Sequence, residues 1–103
     1  MNKKINIDEK NFSIVRKILK ENLEGINAKT YVFGSRTRGN NRKFSDVDMA
    51  ICAEKELPFR VLSRMKNDFE ESYIDYFVDI IDLNNVSDKF VKCIEKDLVE
   101  FSY

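Results

Sequence analysis

Histidine is absent from this chain of 103 residues, and that absence removes several familiar active-site chemistries at once. Without imidazole there is no serine–histidine or cysteine–histidine nucleophile pair in its usual form, and no histidine-bearing zinc site. The two cysteines, Cys52 and Cys93, show no metal-ligand spacing and fall in apolar-patterned segments, which predicts reduced core residues. No run approaches the roughly 20 apolar residues of a membrane helix. Met1 to Asn6 carries two lysines with no apolar stretch behind them, so it does not read as a signal peptide. A cytoplasmic protein without membrane contact is expected. Net charge is lacking as well: 18 basic residues balance 18 acidic ones. Nothing global therefore points to direct nucleic-acid or membrane-surface binding. Any chemistry must rest on carboxylates, lysines, hydroxyls and a hard metal ion.

What is present reads as one globular domain over residues 1–103, with a normal hydrophobic share of 43%. Asp8 is a good N-cap for a first helix to about Leu23, and Ile7 is placed to staple onto Phe12. Phe12, Val15, Ile18, Leu19 and Leu23 keep helical spacing, and Gly25 suits a left-handed terminator. Lys29 to Phe33 reads as a strand that Gly34 stops. Residues Ser35 to Phe44 are polar and basic, with a turn at Gly39-Asn40-Asn41. Asp46 to Cys52 is a second strand. Pro58 opens a helix to about Phe69 with Phe59, Leu62, Met65 and Phe69 in register. Tyr76 to Asp82 is a third strand. Ser87 caps a last helix whose one face carries Phe90, Val91, Ile94 and Leu98. The order α-β-β-α-β-α predicts an α+β (mixed α/β) fold, a short mixed β-sheet flanked by helices.

The carboxylates carry the functional signal. On a strand, Asp46 and Asp48 share one face, about 7 Å apart at Cα, while Val47, Met49 and Ile51 share the other. Like charges near 4 Å repel by roughly 4 kcal/mol at an effective dielectric near 20. A divalent cation reverses the sign of that interaction. Asp79 lies within the apolar run Phe77-Val78-Asp79-Ile80-Ile81, where a carboxylate needs a reason. If its strand neighbours the Asp46–Asp48 strand, three carboxylates converge, and oxygen ligands without imidazole or thiolate suit Mg²⁺. Asp82, three residues on, is expected to face away. Gly34-Ser35 supplies the other half of a phosphate site, because glycine lets backbone amides approach oxygens closely. A helical turn starting after Ser35 would add a favourable dipole, and the side chains of Ser35, Arg36 and Arg38 could complete the cradle. Phe77 and Ile81 share the face of Asp79. That apolar surface is either buried by the last helix or awaits a partner.

Gly34-Ser35, ten residues (36–45) ending in Ser45, then Asp46-Val47-Asp48 and a later lone Asp79 resemble the nucleotidyltransferase superfamily related to DNA polymerase β. Gly34-Ser35-Arg36-Thr37-Arg38-Gly39 together with Val78-Asp79-Ile80-Ile81-Asp82-Leu83 is similar to its minimal nucleotidyltransferases (MNT). The resemblance implies the nucleotidyltransferase fold. It implies that Asp46, Asp48 and Asp79 are catalytic and hold Mg²⁺, in two ions, with Asp79 helping to activate the attacking hydroxyl. It further implies that Gly34 and Ser35, with Arg36, Arg38 and Ser45 nearby, bind a nucleoside triphosphate, with ATP as substrate. Proteins of the minimal class pair with a separately encoded HEPN-type helical toxin, for which they are the antitoxin, and some transfer AMP from ATP onto a toxin tyrosine. A homo- or hetero-oligomer is expected. Two alternatives stay open: a non-catalytic antitoxin that acts by binding, and a two-subunit adenylyltransferase for a small hydroxylated molecule.

Overall fold

A computed structural model of the chain describes residues 5–38 and 46–103. The expected turn at Gly39-Asn40-Asn41 and the residue Ser45 lie outside the described residues. In chain order the elements are α1 (Glu9–Asn22), β1 (Ala28–Phe33), the single turn α2 (Ser35–Arg38), β2 (Val47–Ala53), α3 (Phe59–Glu70), β3 (Val78–Asp82), α4 (Asp88–Ile94) and β4 (Val99–Phe101), with 3₁₀ turns at Leu83–Asn85 and Glu95–Asp97.

The strands form one mixed sheet in the order β3-β2-β1-β4. β1 runs antiparallel to both β2 and β4, and β2 runs parallel to β3 through the α3 crossover. Strand alternation then separates two faces. Val32 of β1, Val47, Met49 and Ile51 of β2, Val78 and Ile80 of β3 and Phe101 of β4 join Val15, Ile18, Leu19 and Leu23 of α1 and Met65 and Phe69 of α3 in one buried core. Fully burying an aliphatic side chain such as Leu19 contributes about 1.5–3 kcal/mol. The opposite face carries Tyr31, Phe33, Asp48, Ala50, Asp79 and Ile81.

Several expectations change in detail. Asp8 occupies the N-cap of α1 but makes no side-chain cap bond; its carboxylate instead accepts from Asn11 Nδ2 and, at 2.9 Å, from the Tyr76 hydroxyl. Gly25 does take the left-handed conformation, with φ +78. Pro58 stands one residue before α3, and Phe59 is exposed rather than part of the buried stripe. Ser87 caps α4, accepting from the Phe90 amide at 3.1 Å, but the helix ends at Ile94 and so does not carry Leu98. The chain turns back as β4, a strand absent from the expected element order. Pairing with β1 competes successfully there: Thr30 Oγ1 donates to the Phe101 carbonyl at 2.7 Å, and the Phe101 ring stacks on Phe12 at 4.5 Å. Cys52 and Cys93 are free as expected, but both are exposed rather than in the core. Cys52 alternates with the core-facing Ile51, and Cys93 lies on the outer side of α4.

Candidate functional site

Register builds the site. In the parallel β2–β3 pair, Asp48 is the direct partner of Asp79, and in the β1–β2 pair it is the partner of Phe33. Neighbouring strands lie about 4.8 Å apart, and partnered residues point to the same side. The two carboxylates are therefore side by side on the face opposite the core. The Val47 amide donates to the Phe77 carbonyl at 2.9 Å, which extends this pairing ahead of β3.

Gly34 closes β1 and bends over Asp48. Its φ of +80 lies in the left-handed region, and a Cβ there would meet Asp48 Oδ2 at 2.6 Å. Glycine is thus required twice, for the backbone angle and for the approach of the carboxylate. Thr37 anchors the bend by donating to the Gly34 carbonyl through its amide (3.1 Å) and its Oγ1 (2.9 Å). Ser35 begins the turn of α2, so the bend leads directly into backbone amides at the start of a helical turn.

The expected residues fall into three groups. Asp48, Asp79 and Gly34 come together. Asp46 is exposed one residue before β2, on the side of Asp48 by alternation. Ser35 and Arg38 mark the two ends of α2. Arg36 goes elsewhere: it is 3% exposed, its guanidinium carbon lies 4.0 Å from the centroid of the Tyr76 ring, and Nη1 donates to the Asn6 carbonyl at 3.1 Å. Its head group is directed onto Tyr76 and the 5–8 segment, so a direct place in a phosphate cradle does not fit it. Asp82 faces the core side, as expected. It is 4% exposed, and it accepts from the Leu57 amide at 2.7 Å and the Asn84 amide at 2.9 Å.

The donor set fits magnesium in kind: hard carboxylate oxygens on one face, with no imidazole or thiolate beside them. Among the described residues, no three or more histidine, cysteine, aspartate or glutamate side chains are gathered closely enough to hold a metal ion. The protein thus supplies a carboxylate pair with Asp46 near it, and such a partial shell suits an ion that keeps waters and substrate phosphates as ligands. Beside Asp79, Phe77 is 60% exposed. The last helix does not bury it.

Sequence reasoning missed Tyr76, which it placed as an ordinary strand residue. Tyr76 joins a polar cluster around the buried Asn11: Asn11 Nδ2 also approaches the Tyr76 hydroxyl (3.1 Å) and Asp75 Oδ2 (3.0 Å), and Asn11 Oδ1 accepts from the Asp75 amide at 3.1 Å. Lys10 lies 3.5 Å from Asp75. Burial, and then the bond to Asp8, raise the Tyr76 phenol above its ordinary 10.0. The Asn11 amide, followed by the Tyr76 hydroxyl, lowers the Asp8 carboxyl below its ordinary 3.8. No local periodicity reports such a cluster.

The chain is similar to known proteins in sequence and in fold. The family model described as polymerase beta, nucleotidyltransferase, matches residues 13–100. A probable protein adenylyltransferase MntA from Haemophilus influenzae is 34% identical over 92 residues, spanning 89% of this chain and 79% of that protein. Among solved structures, a toxin–antitoxin crystal structure with AMP-PNP superposes with a TM-score of 0.72 at 23% identity, over 89% of this chain and 73% of the other. A structure of the tri-AMPylated HEPN toxin of Shewanella oneidensis in complex with MNT antitoxin gives a TM-score of 0.68 at 20% identity, over 93% and 72%.

Proposed function

This chain belongs to the polymerase β nucleotidyltransferase family, and from that premise we propose that it is a Mg²⁺-dependent adenylyltransferase. It takes AMP from ATP and places it on a HEPN-type toxin partner, as the antitoxin of the pair. The observation that carries the reading is the register pairing of Asp48 with Asp79 beneath the Gly34 bend. The names of its relatives supply the partner: one is a probable protein adenylyltransferase, and another structure holds an AMPylated HEPN toxin with an MNT antitoxin.

Asp48 and Asp79 would hold the metal, while Asp46, one residue before β2, lies on the same side without being gathered with them. The chemistry Mg²⁺ would supply there is neutralisation of phosphate charge and orientation of the triphosphate for in-line attack. Gly34 leaves the backbone open to the phosphates, and the amides opening α2 point donors at their oxygens. The acceptor hydroxyl oxygen forms a bond to the α-phosphorus as the bond from that phosphorus to pyrophosphate breaks. The Asp79 carboxylate would help take up the hydroxyl proton. Exposed Phe77 beside Asp79 supports a partner surface that closes over the site and excludes water, which strengthens every electrostatic contact there. ATP as donor and a toxin inside the cell would place this work in the cytoplasm.

Co-expression with a candidate helical partner, followed by incubation with Mg²⁺ and α-labelled ATP, tests the reading. Label on the partner with the wild type, and none with Asp48→Asn, is the expected result. An unlabelled partner overturns it. Toxin neutralisation at full strength by Asp48→Asn would instead favour an antitoxin that acts by binding alone.

A further inference from the structure

We propose that Tyr76 is a positioning residue for the site: its ring holds the Arg36 guanidinium and thereby sets the Gly34–Ser35 bend against the strand that bears Asp79. The effect on nucleotide rests on the functional reading above, whereas the mechanical coupling does not.

The case begins with α2, a single helical turn of four residues. So short a helix cannot hold itself in water, since nucleation is costly and the bonds gained are few. Its shape must come from outside anchors. Thr37 ties it back to Gly34. The other described anchor is Arg36, whose amide carbonyl accepts from the Asn6 amide at 2.8 Å and whose Nη1 donates to the Asn6 carbonyl. Beyond that, the guanidinium lies face-on at 4.0 Å to the Tyr76 ring. A flat, weakly hydrated cation against an aromatic face is favourable, and more so where water is excluded, as at the buried Arg36.

Tyr76 is itself held firmly. Its hydroxyl donates to Asp8 at 2.9 Å and lies 3.1 Å from Asn11 Nδ2. On its other side the chain enters the sheet at once, where the Phe77 carbonyl accepts from Val47. Val78 and Asp79 then pair with Val47 and Asp48. A continuous path therefore runs from the Gly34 bend through Arg36 and Tyr76 into the strand of Asp79. The bend and the carboxylate pair, the two halves of the site, are referred to one another by this ring. Arg36 thus acts through the backbone of α2 rather than on a phosphate.

Replacing the ring and the hydroxyl separately distinguishes this role from plain stability. Tyr76→Phe keeps the stacking face and removes the bonds to Asp8 and Asn11; Tyr76→Leu removes the face. Hydrogen exchange of the amides of residues 35–38, measured without nucleotide, should stay near wild type in the Phe variant and quicken in the Leu variant. The Kd for Mg–ATP by calorimetry should follow the same order, rising roughly tenfold in Tyr76→Leu, the factor that about 1.4 kcal/mol represents. Should Tyr76→Leu fail to fold by circular dichroism, Arg36→Lys, which keeps the charge but not the flat face, carries the same expectation. Wild-type exchange and affinity in a folded variant lacking the stack would overturn the proposal. So would equal loosening in Tyr76→Phe, because the hydroxyl and not the ring would then be the agent. If the wild type binds no Mg–ATP while exchange still separates Leu from Phe, the coupling stands and the nucleotide reading fails.

Discussion

Gly34 and Asp48 approach one another so closely that a Cβ on the glycine would lie 2.6 Å from the aspartate Oδ2. Two consequences follow for Gly34→Ala. A side chain at φ +80 costs about 1–2 kcal/mol, and the carboxylate at the end of the Asp48 side chain has to swing away. The variant should fold with a modestly lower Tm. It should lose the Tm rise that Mg²⁺ with ATP produces in the wild type. A melting series with and without both ligands measures this, and an undiminished ligand shift would contradict it.

Asp48→Asn and Asp79→Asn should differ from ordinary core damage. Each removes one of two like charges placed side by side by the β2–β3 register. Without metal, the Tm of Asp79→Asn should therefore equal or exceed that of the wild type. Transfer of AMP should drop by about 10²-fold or more, the scale for removing one electrostatic stabiliser of a transition state. Initial rates with α-labelled ATP, set beside metal-free melts, give both quantities.

Asp82 offers the opposite pattern, although only three residues separate it from Asp79. Its buried carboxylate accepts from the amides of Leu57 and Asn84. Asp82→Ala leaves both donors without that acceptor, and bonds to a charged group of this kind contribute about 1.5–3 kcal/mol. Urea unfolding should report a loss of that size, while the Kd for Mg–ATP stays at the wild-type value.

Opposite pH limbs are expected for the two residues that share the Asp8–Tyr76 bond. The Asp8 carboxyl is held below its ordinary 3.8 by the Asn11 amide and then by Tyr76. Its contribution to stability is complete above pH 3.8 and disappears as pH falls through the lower folded value. The difference in stability between wild type and Asp8→Asn should accordingly be flat near neutrality and shrink in acid. Tyr76 is raised above 10.0 by burial and then by Asp8. Its neutral form contributes fully below pH 10.0, and that contribution is lost as pH rises through the higher folded value. Tyr76→Phe should flatten the alkaline limb, which denaturant melts across the pH range would show.

Much of this is legible in the sequence alone, for physical reasons that differ by element. Local steric and solvent preferences act over a few residues, so the amphipathic run ending near Leu23, the glycine at the close of β1 and the alternation of Asp48 with Val47 and Met49 could be read directly. Boundaries were softer. β4 is absent from the expected order because Val99-Glu100-Phe101 is too short for its alternation to register, and only pairing with Thr30 to Val32 makes it a strand. Phe59 keeps register with Leu62, Met65 and Phe69 yet is exposed, because helical spacing tells which residues share a stripe, not whether a neighbouring layer reaches that end of it. The cysteines misled for a similar reason, since an apolar neighbourhood in sequence surrounds both faces of Cys52 equally.

By itself the sequence determined the chemistry on offer: no imidazole, carboxylates at strand spacing, and a glycine that ends a strand before a basic stretch. Those are properties of residue type and short-range geometry, and they survive in any fold that keeps the elements. Only tertiary structure decided that β3 lies parallel beside β2, so that Asp79 meets Asp48, and that Arg36 turns inward to Tyr76. Strand order and side-chain burial are settled by packing the whole core at once, where contacts between distant segments outweigh the preferences of each.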